Sequence, residues 1–94
     1  MRLGQVVMSK AGRDSGRLYL VVGLDEGGLV ALLSDGRSRP VGRPKRKNPL
    51  HLQPTGFVDV EASMKAACGT LTDLDVRRAL RDFSESRGGD RVDA

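Results

Sequence analysis

The chain has 94 residues, 38 % of them hydrophobic and only Tyr19, Phe57 and Phe83 aromatic, which fits one small domain with a Val-, Leu- and Ala-built core and leaves little room for a deep enzyme active site. Its net charge of +4 is uneven: residues 1–53 hold ten Lys/Arg and four Asp/Glu, residues 54–94 six and eight, so an anionic partner is expected for the first part only. With Cys68 the single cysteine, no internal disulfide can form; no run approaches the ~18 apolar residues of a membrane span, no apolar signal region opens the chain, and a reducing, cytoplasmic setting is expected.

Residues 3–9, centred on Val6, Val7 and Met8, read as a first strand. A loop follows at 10–16, marked by Gly12, Asp14, Ser15 and Gly16. Residues 18–24 form the clearest strand. Leu18, Leu20, Val22 and Leu24 take one face, Tyr19 and Val21 the other, so this strand needs apolar cover on both sides. Asp25-Glu26-Gly27-Gly28 and Asp35-Gly36 are hairpin turns on either side of a strand at 29–33. Residues 38–41, with Pro40, read as a short edge strand, and 50–53 as a fifth. Short strands joined in this way suit a small SH3-like five-stranded barrel over 1–53.

Pro54-Thr55-Gly56 reads as a break, after which helical spacing begins. Val60, Met64, Ala67 and Cys68 define a first helix over 59–68, stopped by Gly69. Thr72 is an N-cap, with Asp73 and Asp75 in the first turn. Val76, Ala79, Leu80 and Phe83 then make an i, i+3, i+4, i+7 stripe able to cover the strand at 18–24. Arg78 with Asp82 and Arg81 with Glu85 are spaced to pair. The fold class is therefore mainly β with C-terminal α. The appendage at 54–86 either packs on the barrel or stays open to a partner, and 87–94 is expected to be a disordered tail.

Arg43, Lys45, Arg46 and Lys47 lie between prolines that favour extended backbone. Such a strip can match the phosphates of an RNA strand. The loops at 10–17 and 37–39 add Lys10, Arg13, Arg17, Arg37 and Arg39, and alternate connections of a small barrel share one end. The plain alternative is that Arg13 pairs with Asp14 and Arg37 with Asp35 as ordinary surface residues. His51, the only histidine, lies near the strip and could touch a base or phosphate. Gly12 and Gly16 are loop-shaping glycines, since no Gly-Lys-Ser/Thr follows to make a P-loop. No catalytic residue, cofactor or metal is expected: a Cys68–His51 pair is unconvincing, and one His with one Cys is too few ligands. Scarce aromatics argue for folded RNA over base-stacked single strands.

Gly4-Gln5-Val6-Val7, then Gly12, Gly16-Arg17 and the apolar run to Gly23, resemble the KOW motif of ribosomal proteins and Nus-type elongation factors. Asp35-Gly36, Arg39-Pro40 and PKRKNPLHL at 44–52 are similar to the KOW-containing large-subunit ribosomal proteins. The resemblance covers about residues 3–53. It implies an SH3-like barrel, ribosomal RNA or the ribosome as partner, Gly16 at the signature glycine position, and Arg13, Arg17, Arg37, Arg39, Lys45, Arg46 and Lys47 as RNA contacts. The competing readings are an SH3-like protein-interaction module, with the edge near Pro40 or the helical stripe as its surface, and a transcription-elongation accessory factor.

Overall fold

The computed structural model describes residues 1–93, with side chains described through Ser86; the disorder expected at 87–94 falls on residues whose side chains, and in Ala94 the whole residue, lie outside that description. Five antiparallel strands, β1 (Gln5–Ser9), β2 (Leu18–Asp25), β3 (Val30–Ser34), β4 (Lys45–Lys47) and β5 (Leu52–Val58), form one sheet in the order β4-β3-β2-β1-β5. Two helices follow, α1 (Val60–Cys68) and α2 (Asp73–Asp93).

The strand at 18–24 has the expected two apolar faces. Leu20 packs with Val6, Ala62, Val76, Ala79 and Phe83, so this side of the sheet is covered by both helices. Tyr19 and Val21 pack with Val7, Ala31, Leu33 and Leu52 in a second core on the other side. The stripe on α2 does what its spacing requires. Phe83 meets Phe57 edge to face, with ring centroids 5.6 Å apart, a favoured aromatic geometry. Thr72 caps α2 reciprocally. Its Oγ1 accepts from Asp75 N (3.2 Å), and Asp75 Oδ2 accepts from Thr72 N (3.0 Å).

Four expectations fail. Residues 38–41 form no strand; the fourth strand is Lys45–Lys47, within the basic strip itself, with Leu32 opposite Arg46. Pairing with β3 overrides the weak strand preference of lysine, and Pro44 and Pro49 bound the strand on either side. The break at 54–56 lies inside β5. That strand pairs only with β1, and its register shifts between Gln5 and Val7, so an edge with an irregularity tolerates Pro54 and Gly56.

The third failure is the buried face of α1. Val60 and Met64 are 67 % and 64 % exposed, and Ala67 and Cys68 also face outward; Ala62 is buried instead. Gly4 explains the rotation. At φ +80° it brings the chain against α1, and a Cβ there would lie 2.6 Å from Asp59 O and 2.8 Å from Ser63 N. The helix therefore turns its Asp59–Ala62–Ser63 side to the sheet. Its ends form as expected, with Asp59 Oδ1 accepting from Ala62 N (2.9 Å) and Gly69 left-handed at the C-cap. Neither Arg78–Asp82 nor Arg81–Glu85 forms an ion pair; Lys65 instead bridges Glu61 and Asp75, tying α1 to α2.

Candidate functional site

Side chains alternate along a strand. On β4, Lys45 lies opposite Leu33 and Lys47 opposite Ala31, both of the inner core, while Arg46 points the other way. Both lysines thus enter the protein and meet Asp14, which is only 6 % exposed. Asp14 Oδ1 accepts from Ser9 Oγ (2.8 Å) and Lys47 Nζ (2.8 Å); Oδ2 accepts from Tyr19 OH (3.0 Å) and Lys45 Nζ (2.8 Å). Four donors fill the carboxylate. Lys47 Nζ also donates to Ser9 Oγ (2.7 Å) and Ala11 O (2.9 Å), so its three hydrogens are all engaged. Burial pushes the Asp14 carboxyl up, but the bonds from Lys45, Lys47, Ser9 and Tyr19 outweigh it and hold it well below the usual carboxylate range. Burial, and then the bond to Asp14, pushes the Tyr19 hydroxyl up.

The remaining acids of the sheet unit are also taken. Arg46 donates from Nη1 to Asp25 Oδ2 (2.9 Å) and from Nη2 to Glu26 Oε2 (3.0 Å). Arg17 Nη2 reaches Asp35 Oδ2 at 3.3 Å and Ser38 Oγ at 3.4 Å. This contact joins the loop at 10–17 to the loop at 35–39, which were expected to share one end. Asp35 winds its own loop: Oδ1 accepts from Arg37 N (2.8 Å) and Arg39 N (2.9 Å), and Oδ2 from Ser38 Oγ (2.8 Å). Burial raises the Asp35 carboxyl, and these bonds more than reverse it.

Residues 1–58 carry ten cations and four acids, a surplus of six. The four acids pair with Arg17, Lys45, Arg46 and Lys47. Six cations are left without an ion pair among the described residues: Arg2, Lys10, Arg13, Arg37, Arg39 and Arg43. All six are exposed. Neither plain pairing occurs: Asp14 is occupied by lysines, and Arg37 offers Asp35 its backbone N–H. Of the ten expected contacts, Lys10, Arg13, Arg37, Arg39 and Arg43 lie open on the loops. Arg17 and Arg46 are exposed but paired, and Lys45 and Lys47 face inward. His51 is exposed at the end of a 3₁₀ turn (Pro49–His51), its carbonyl accepting from Lys10 N at 3.0 Å. Gly12 and Gly16 both have positive φ within the 10–16 loop. Arg2, absent from the expected set, adds to the exposed cations.

Tyr19 and Phe83 are buried and Phe57 packs on Phe83, so no aromatic ring is presented as a stacking platform. Among the described residues, no group of three or more His, Cys, Asp or Glu is arranged to hold a metal ion, and no helix is long and apolar enough to cross a membrane. A small cleft of about 80 Å³ between α1 and α2, lined by Asp59, Glu61, Lys65, Asp75, Arg78 and Asp82, lies on the acidic part of the chain. No protein-family model matches the chain, and no curated protein sequence matches it.

Proposed function

We propose that the chain is a non-catalytic, cytoplasmic RNA-binding protein, associated with the ribosome, whose five strands form an SH3-like barrel of the KOW type. The observation that carries this reading is the charge balance: every acid of the sheet unit is paired, and the six cations left over are all exposed, three of them on one loop. Unpaired guanidinium groups on a loop held in shape by Asp35 suit phosphate oxygens. The absence of an exposed ring favours a folded RNA, gripped by phosphate and 2′-hydroxyl, over a stacked single strand. Strand order β4-β3-β2-β1-β5 with a 3₁₀ turn between β4 and β5 supports the barrel reading. The interface is Lys10, Arg13, Arg37, Arg39 and Arg43, with His51 at its border; Arg2 lies beyond the other end of β1.

The test is titration against an RNA duplex of about 20 base pairs at several KCl concentrations. Contact with about five phosphates gives a log–log slope of about −4.5. Replacing Arg37, Arg39 and Arg43 by Gln should flatten the slope by about 2 to 3 units. Replacing Lys45 and Lys47 by Gln should lower stability and leave the slope nearly unchanged. Salt-insensitive binding, or a slope that follows the lysines and not the arginines, refutes the interface. Sedimentation of tagged protein with a ribosomal subunit, lost in the arginine variant, tests the ribosome association.

A second reading has one observation in its favour. The outward face of α1, Val60, Met64, Ala67 and Cys68, is apolar and exposed, a surface of the kind that protein partners cover. On that reading the arginine variant keeps its partner, and Met64→Glu loses it.

A further inference from the structure

The N-terminal end of α2 grips the arginine loop at two points. Arg77 Nη1 donates to Gly36 O at 2.7 Å, and Val41 N donates to Asp73 Oδ1 at 2.7 Å. Gly36, at φ +73°, lies so close to the helix that a Cβ there would stand 2.6 Å from Asp73 O and 2.9 Å from Arg77 Cγ. Between these two anchors lie Arg37 and Arg39, and Arg43 follows two residues after the second.

From this we infer that Asp73 and Arg77 are positioning residues for the RNA interface, and that α2 is a brace setting where three of the six unpaired cations point. The inference rests on the proposed RNA-binding role and gives the C-terminal helices a part in it. Asp35 shapes the loop from within. Without the α2 contacts that shaped loop would still be hinged at 36 and at 41, and its arginines would have to be ordered when the phosphates arrive. Ordering flexible groups at the moment of binding weakens affinity.

Asp73 makes the inference testable, because charge and position predict opposite signs. It is an acid beside a surface that attracts a polyanion, so simple electrostatics has its removal strengthen binding. Asp73→Asn and Asp73→Ala remove the same charge, but only Asn keeps an oxygen to accept from Val41 N. The titration uses the full chain and the duplex of about 20 base pairs at roughly 50–200 mM KCl. The brace predicts that the Ala variant binds about fivefold more weakly than the Asn variant, the effect of one lost hydrogen bond. It also predicts a shallower salt slope for Ala, by about one phosphate contact.

Equal dissociation constants for two folded variants overturn the inference, as does tighter binding by Ala. If Asp73→Ala does not fold, Arg77→Gln and Arg77→Met carry the same comparison, since both lose the charge and only Gln keeps a donor for Gly36 O. A parent chain that fails to bind the duplex defeats the proposed function itself and this inference with it. A parent that binds, with matched variants that bind alike, defeats the brace alone.

Discussion

Asp14→Asn is the sharpest test of how this fold is held together. The substitution preserves the shape of the side chain but removes its charge and one of its two acceptor oxygens. One of the pairs Ser9–Lys47 or Tyr19–Lys45 then faces an NH₂ group where it had an acceptor. Two ammonium groups remain, on side chains 12 % and 27 % exposed, without a counter-charge. Breaking a buried pair from one side costs about 3–5 kcal/mol. Lys45 keeps partial access to water, so the lower end applies, about 3 kcal/mol. For a chain of this size the total stability is about 5–10 kcal/mol, and the loss corresponds to a fall in Tm of about 12–24 °C. Thermal and urea unfolding followed by circular dichroism read it directly. Combining Asp14→Leu with Lys45→Met and Lys47→Met should recover most of the loss, since an apolar replacement of a whole buried ion group is often neutral. An Asp14→Asn variant within about 0.5 kcal/mol of the parent would refute the account of Asp14 as the buried anchor of β4 and the 10–16 loop.

The same carboxylates set the response to acid. Asp14 and Asp35 are both held below their ordinary range in the folded chain, so the unfolded chain takes up their protons first. Their stabilisation is complete above about pH 5 and declines as pH falls past the unfolded value of about 3.9; urea midpoints from pH 7 to pH 2 should fall more steeply in the parent than in Asp14→Asn. Gly4→Ala forces a Cβ against the backbone of α1 at a positive φ and should cost about 2–4 kcal/mol. Gly56→Ala, where a Cβ meets nothing within 4 Å, serves as its control in the same melts. Phe83→Ala removes the last and largest side chain of the α2 stripe, losing its ring contact with Phe57, and should cost about 3–5 kcal/mol by urea unfolding.

Local signals in the sequence anticipated what local forces decide. The hairpin turn at 25–28, the cap at Thr72 and the stop at Gly69 each form where their residue types place them, whereas Asp35-Gly36 opens a longer loop because no strand follows it at 38–41. The stripe on α2 and the two-faced strand at 18–24 were readable because a long period leaves little freedom. Long-range contacts decided the rest. The face of α1 could not be read from hydrophobicity, because the small residues Ala62 and Ser63, set against Gly4, determine which side approaches the sheet. Lys45 and Lys47 looked like phosphate contacts because Asp14 lies more than thirty residues away in the chain. One signal was available: a lysine pair at i, i+2 around an arginine is a strand alternation, which turns both lysines to the same face of the sheet.

That lysine pair also bears on how the sheet ends. β4 is an edge strand of three residues, pairing only with β3. An exposed edge invites pairing with another chain, and short edges with inward-pointing charges resist it. Here the two inward charges are neutralised in place by Asp14, which also ties down the loop carrying Lys10 and Arg13. One ion group therefore closes the edge, caps the inner core and holds the 10–16 loop in place. It follows that the PKRK run overstates the charge available to a polyanion. Of its three cations, two turn inward onto Asp14 and the third faces Asp25 and Glu26. The exposed charge lies instead on Arg37, Arg39 and Arg43, none of which forms an ion pair among the described residues.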